Sequence, residues 1–319
     1  MSTFGVVGLG RIGGGLALQA LRKGHMVYGF DPVPAREELR EAGLQIADSL
    51  SELVDAMPTP RVIFLYVHAG PLVDTLLTGL IPLLDAGDIV VDGGNSYWGD
   101  SIRRQQALLE HGIHLVDLGT SGGLMGAEHG ACFMMGGLPE AKAPVVEIVQ
   151  RLCVEGGFVD AGGPGSGHYV KLVHNGIEFG MLQAIGEGID LLERFHQDLP
   201  ITQVLSCWQN GSVVRSWLID LMQAAYASQD GMDGVPAYIE DTGEVNWLVA
   251  DAMQMEVPIP VISQSVMQLF ASRDQNKHWA KAIAMMRHGF GGHPFGPDDA
   301  LRADRQTSRV GDIFRPDTV

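Results

Sequence analysis

Short apolar runs alternate with segments of helical period through the first half of the chain. Strands are predicted at 4–7, 26–30, 62–67, 89–92, 115–117, 133–135 and 158–159. Helices are predicted at 14–23, 49–57 with a cap near Ser49, 72–84 with a break near Pro82, 101–110 and 143–152. Strand followed by helix, repeated, implies right-handed crossovers and a mainly parallel sheet. The glycine-rich stretch Gly162-Gly163-Pro164-Gly165 ends this pattern. Beyond it lie one long helix over 167–195 and further helices at 200–207, 213–226, 262–270 and 279–286. Asp241 to Trp247 reads as a cap opening another helix, and 257–262, with Pro258 and Pro260, as a loop. The expected fold is an α/β Rossmann-type dinucleotide-binding domain over 1–163, followed by an all-α substrate-binding and oligomerisation domain over 164–319. Trp208, Trp217 and Trp247 read as core, and Met253, Met255, Met267, Met285 and Met286 as gap-filling packing residues.

The first strand runs directly into Gly8-Leu9-Gly10-Arg11-Ile12-Gly13, then a helix, a second strand and Asp31. That order is the dinucleotide fingerprint in its required context. Gly8 permits the tight turn, Gly10 lets a pyrophosphate approach the backbone, and Gly13 lets helix and strand pack closely. The helix start supplies amide donors and a positive dipole end to the phosphates. Asp31 ends the second strand, where a carboxylate accepts hydrogen bonds from ribose hydroxyls and repels a 2′-phosphate, so NAD is favoured over NADP. Arg11 and Arg36 are close enough in sequence to keep NADP open. Val67 and Asn95, at later strand ends, are further cofactor-binding candidates.

Ligands bind outside the carboxyl edge of such a sheet. Asn95 with Ser96, and Ser121 with Gly122 and Gly123, stand at that edge, where each set serves equally as turn or as ligand site. In the long helix, Lys171, His174, Asn175 and Glu178 fall on one face, with Val170, Leu172, Val173 and Ile177 around much of the rest. A buried helix with such a stripe needs partners or a ligand for it. Solvated Lys and Glu side chains are the plainer reading.

Composition narrows the partners. Lys and Arg number 21 against 38 Asp and Glu, a formal charge of -17, which disfavours nucleic acid and anionic membranes. An anionic substrate then requires a locally basic pocket. Three cysteines, Cys132, Cys153 and Cys207, form no disulfide framework and fit a reduced, cytoplasmic setting. No secretory signal, membrane span or metal-ligand spacing is visible. The segment from Arg287 to Phe295 is basic, aromatic and glycine-rich, and Arg287 suits bidentate phosphate recognition.

Three stretches, Gly119-Thr120-Ser121-Gly122-Gly123, Lys171-Leu172-Val173-His174-Asn175-Gly176-Ile177-Glu178 and Arg287-His288-Gly289-Phe290-Gly291-Gly292-His293, resemble 6-phosphogluconate dehydrogenases. The length is similar to the short form of that family. The resemblance implies oxidative decarboxylation of 6-phospho-D-gluconate to ribulose 5-phosphate, in the pentose phosphate pathway and gluconate utilisation. It carries Lys171 onto the family's general base and acid, and Glu178 onto the acid that protonates the enediol. Asn95, Ser121, Gly122, Gly123, His174 and Asn175 match substrate-binding positions, Arg287 the phosphate arginine, and His293 a tail histidine. It also implies a homodimer or homotetramer whose C-terminal tail reaches the neighbouring subunit's site. The chain departs from the long form at Phe179, where a tyrosine binds substrate phosphate. Gln268 and Leu269 stand near an expected arginine, with Arg273 a few residues later. The alternatives are a β-hydroxyacid dehydrogenase of the 3-hydroxyisobutyrate type, which shares Ser121-Gly122-Gly123 and the Lys171–Asn175 pair, and a non-catalytic NAD-binding sensor or scaffold.

Overall fold

A computed structural model describes residues 1–229, 231–299 and 302. The chain divides into two compact units. One comprises Met1–Ile177 with Gly243–Pro258; the other comprises Glu178–Thr242 and the chain from Ile259 onward. The long helix α8 (Ser166–Glu193) runs from the first into the second. The end of the predicted second domain, from residue 300 apart from Arg302, lies outside the described residues.

The first unit is built on an eight-stranded sheet: β1 (Thr3–Val7), β2 (Met26–Phe30), β3 (Gln45–Ile46), β4 (Val62–Leu65), β5 (Ile89–Asp92), β6 (His114–Ser121), β7 (Ala131–Gly137) and β8 (Cys153–Gly162). Their order is β3-β2-β1-β4-β5-β6-β7-β8. Every neighbouring pair is parallel except β6–β7. The central strands are apolar throughout because each packs on both faces. Val62, Phe64, Ile89 and Val91 join one core, beneath α1 (Arg11–Arg22) and α7 (Pro139–Leu152). Ile63, Leu65 and Val90 join the other, beneath α3 (Leu50–Asp55), α4 (Pro71–Leu80) and α5 (Trp98–Leu109). Ser49 caps α3, accepting the Glu52 amide at 3.1 Å.

Several boundaries differ from expectation. β4 stops at Leu65, leaving Val67 in the following loop. β6 continues to Ser121, because its antiparallel pairing with β7 extends the ladder to Ser121 opposite Cys132. Gly119, Thr120 and Ser121 are therefore strand, and Gly122, left-handed at φ 115°, caps the unexpected helix α6 (Gly123–His129). The short α2 (Glu37–Glu41) and β3 also escape the apolar pattern, since two to five residues carry too little periodicity.

In the second unit α9 (Ile201–Gln209) and α10 (Trp217–Gln229) pack on α8 through a small core of Ile189, Ile201, Leu205 and Ile219, with Trp208 against it. α11 (Glu244–Gln254) belongs to the first unit, and α12 (Pro260–Arg273) and α13 (His278–Gly291) to the second. Pro260 opens α12 at a position that needs no amide proton, so the predicted loop ends there. Trp217 is 51% exposed, and all five methionines expected to fill gaps are exposed, Met253 at 77%. Helical period puts them on faces that the described residues leave uncovered.

Candidate active site

The Gly8–Gly13 turn joins β1 to α1 with Gly8 at φ 93°. A Cβ on Gly8 would strike the Tyr66 carbonyl, and one on Gly13 the Gly8 carbonyl, so both positions exclude side chains. A Cβ on Gly10 would meet nothing within 4 Å, which leaves that backbone open to a phosphate. Arg11 is exposed and Ile12 half-buried. Asp31 grips this loop: its carboxylate accepts the Leu9 amide at 2.7 Å and the Val33 amide at 2.8 Å. Val67 lies between the two glycine loops, with its Cγ1 3.0 Å from a Cβ built on Gly8 and its carbonyl oxygen 3.0 Å from one built on Gly94. The turn, its open Gly10 and the acidic strand end fit a dinucleotide.

The first turns of α8 press against β6 and β7. Glycine makes this approach possible: a Cβ on Gly167 would lie 2.6 Å from the Asp117 carbonyl oxygen, and one on Gly119 would collide with the Lys171 Cβ. The buried Asp117 carboxylate accepts the Gly165 amide at 2.7 Å and the His168 amide at 2.9 Å. A carboxylate at a helix start satisfies orphan donors and meets the positive dipole end. His168, also buried, donates from Nε2 to the Asp92 carbonyl at 3.1 Å, and its Nδ1 faces Ser101 Oγ at 2.7 Å. The carbonyl can only accept, so in neutral His168 the Nδ1 lone pair receives the serine proton. Asp117, His168 and Ser101 escaped sequence reasoning, because a lone polar residue gives no sign of which helix end it will meet.

This seating buries part of the polar stripe of α8. Lys171 and Asn175 are each 7% exposed, and Lys171 Nζ donates to Asn175 Oδ1 at 2.7 Å. His174 Nδ1 stands 3.3 Å from Lys171 Nζ, and its Nε2 3.1 Å from Ser121 Oγ. With Nδ1 unprotonated, His174 can accept from the amine while Nε2–H donates to the serine. Strand β6 and helix α8 thus bring Ser121, Lys171, His174 and Asn175 into one hydrogen-bonded group. Lys171 and Asn175 also line a crevice with Asn95, Ser96, Glu244 and Trp247. Asn95 Nδ2 donates to Glu244 Oε1 at 3.1 Å. Glu244 lay within a predicted cap, with nothing in the chain order to place it opposite Asn95.

The Asn95 loop has its own support. Asp92 accepts the Ser96 hydroxyl at 2.7 Å and lies 3.5 Å from the buried guanidinium of Arg104. Arg104 also grips Asp74 through Nε and Nη2, both at 3.0 Å. Gly122 and Gly123 follow Ser121 at the start of α6, with φ 115° and 58°.

The remaining candidates lie in the second unit. Glu178 is half-buried, seven residues beyond Lys171 on the same helix. Arg287 sits on α13, and His293 follows the left-handed Gly292 that ends it. The segment folds back on the helix: His288 Nδ1 meets the His293 carbonyl at 2.8 Å, and the Phe290 and His293 rings lie 6.0 Å apart. Arg273 is engaged structurally, donating to the Ile239 carbonyl at 3.0 Å and Asp241 Oδ1 at 3.2 Å.

Two family models match in series: the NAD binding domain of 6-phosphogluconate dehydrogenase over residues 3–155, and the 6-phosphogluconate dehydrogenase C-terminal domain over 167–303. An NAD(+)-dependent, decarboxylating 6-phosphogluconate dehydrogenase of Haloferax volcanii is 39% identical over 299 residues, 92% of this chain and 99% of that one. The chain belongs to the 6-phosphogluconate dehydrogenase family. Among family structures, the Plasmodium falciparum enzyme superposes with a TM-score of 0.78 at 26% identity, covering 93% of this chain and 66% of that one. A 3-hydroxyisobutyrate dehydrogenase from Salmonella typhimurium reaches a TM-score of 0.73 at 20% identity, covering 86% of this chain and 95% of that one, and shares the fold. Family membership agrees with the resemblance carried by the Lys171 motif, and the fold is the expected Rossmann-type α/β domain followed by helices. Among the described residues no helix is long and apolar enough to cross a membrane.

Proposed function

We propose that the protein is an NAD-dependent, decarboxylating 6-phosphogluconate dehydrogenase. The observation that carries this reading is the buried Lys171 amine, held by Asn175 and His174 in the crevice that Asn95 also lines. Dinucleotide binding is assigned to Gly8, Leu9, Gly10, Arg11, Ile12, Gly13, Asp31, Val67 and Asn95. Asp31 takes up ribose hydroxyls while holding the Leu9 amide, and its charge disfavours a 2′-phosphate.

NAD supplies a hydride acceptor. Lys171, neutral when substrate binds, takes the C3 hydroxyl proton as the hydride leaves C3. The C3 keto product then loses its carboxylate as carbon dioxide, and protonated Lys171 stabilises the charge developing on the keto oxygen. Glu178, protonated, delivers a proton to C1 of the resulting enediol, giving ribulose 5-phosphate. Asn95, Ser121, Gly122, Gly123, His174 and Asn175 hold the sugar acid. Arg287 and His293 serve the phosphate end in a homodimer or homotetramer, where the exposed apolar helical faces of the second unit would be covered. A reducing, cytoplasmic setting agrees with three free cysteines.

A panel of 6-phosphogluconate, gluconate and 3-hydroxyisobutyrate, each with NAD and with NADP, tests the assignment. Turnover is expected with 6-phosphogluconate and NAD. Turnover confined to 3-hydroxyisobutyrate would move the chain to the β-hydroxyacid branch, and NAD binding with no turnover would make it a sensor.

A further inference from the structure

Helix α11 follows the whole of Glu178–Thr242, yet it belongs to the first unit. Glu244, Trp247 and Asp251 stand at relative positions 0, 3 and 7, so one face of α11 carries all three. That face runs along the turn between β5 and α5. Glu244 accepts the Asn95 amide at 3.1 Å, and the Trp247 ring lies 5.6 Å from that of Tyr97. Asp251 closes the series: Oδ1 accepts the Tyr97 hydroxyl at 3.0 Å and Oδ2 the Trp98 indole N–H at 2.7 Å. Asp251 is 3% exposed, and burying a carboxylate is costly unless its oxygens are engaged. Trp98 also packs edge-on against Tyr169, 6.0 Å away and two residues before Lys171. At the other end of the turn, Asp92 accepts the Gly94 amide at 3.2 Å and the Ser96 hydroxyl at 2.7 Å.

We propose that Asp251 is a positioning residue that fixes Tyr97 and Trp98 and thereby sets Asn95 for the substrate. Asn95, Lys171 and Trp247 line the crevice; Asp251 is no part of its wall and acts through the two aromatic residues. Only Ser96 separates Asn95 from Tyr97, so a shift of the tyrosine moves the Asn95 amide. A turn held at one end by Asp92 alone would leave that amide loosely placed, and a group acts on substrate only as well as it is positioned. The role rests on the dehydrogenase reading above, which makes Asn95 a substrate contact, and adds the group that holds it.

The test is a double-mutant cycle between Asp251→Leu, which removes both acceptors at similar volume, and Asn95→Ala. Alone, Asp251→Leu is expected to raise KM for 6-phosphogluconate about tenfold, with a smaller fall in kcat. In the Asn95→Ala background the same change should move KM less than twofold, because the group it places is gone. A purely structural role would raise KM equally in both backgrounds. An unchanged KM in Asp251→Leu, or an equal rise in the two backgrounds, overturns the proposal. Kd by calorimetry replaces KM in any variant too slow to assay. If Asp251→Leu does not fold, Trp98→Phe, which removes the indole N–H and keeps a ring, takes its place in the cycle with the same deciding outcomes. If the wild type leaves 6-phosphogluconate untouched, the functional reading fails on its own. The cycle is then read in NAD affinity, to which Asn95 is also assigned: weakening by Asp251→Leu only where Asn95 is present supports the role, and no weakening or equal weakening refutes it.

Discussion

The two units are stabilised in different ways. In the first, strands buried on both faces contribute to two extensive cores, and Lys171 sits where a helix start is clamped to that sheet. In the second, four buried residues among those described form the core around α8 to α10, while Trp279, Met285, Met286 and Phe290 of α13 lie exposed. A parallel sheet completes its own burial. Amphipathic helices complete theirs only when every apolar face has a neighbour. The contrast puts Lys171, the proposed base, beside the sheet and leaves apolar helical faces of the second unit exposed among the described residues. Preorganised chemistry calls for this division, since positioning groups act best from elements whose rotamers are locked.

The sharpest break of that contrast is Lys171→Ala. Turnover should fall roughly 100- to 10,000-fold, the range lost with a general acid or base, while NAD titration stays near wild type. Near-normal turnover would remove the amine from the chemistry. Gly119→Ala tests the clamp without touching a reacting group, since its Cβ must displace the Lys171 stem. A loss of about 1–3 kcal/mol in denaturant unfolding is expected. A larger proportional loss in kcat than in NAD affinity should accompany it. A variant as stable and active as wild type would show that the close packing does not position Lys171.

Asp31→Ala probes the other end of the sheet. Loss of the Leu9 contact should weaken both cofactors, and loss of the ribose contact should weaken NAD further, by about 1–2 kcal/mol relative to NADP. Equal losses by fluorescence titration would confine Asp31 to holding the loop. The smallest effect concerns Asp74, whose carboxyl is held below its ordinary range chiefly by the hydrogen bonds from Arg104, with burial opposing. A depressed folded-state pKa stabilises the fold above the ordinary carboxylate value, about pH 4, and that contribution disappears as pH falls through the folded value. Melting temperature should therefore decline less on acidification in Asp74→Asn than in wild type; parallel declines would contradict the linkage.

Much of the first unit was legible in the chain because its strands are continuous apolar runs and its first turn uses residues that few other structures require. Gly8 and Gly13 are examples, since side chains there would strike the backbone. The Lys171, His174 and Asn175 stripe was legible because helical spacing alone puts it on one face. Ser121 was expected just past a strand and instead ends one, since antiparallel pairing with β7 depends on a partner distant in sequence. Asp117, His168 and Glu244 were invisible for the same reason: their meaning arises only when separate elements meet. Trp217 and the methionines misled because periodicity reports which residues seek burial, and the surface that covers them need not lie in the same chain.

The most direct measurement follows NADH and carbon dioxide together while the wild-type protein is mixed with NAD and 6-phosphogluconate. The account predicts equal molar amounts of the two products, formed at the same steady-state rate and both lost in Lys171→Ala. NADH without carbon dioxide, or either product undiminished in that variant, would contradict it.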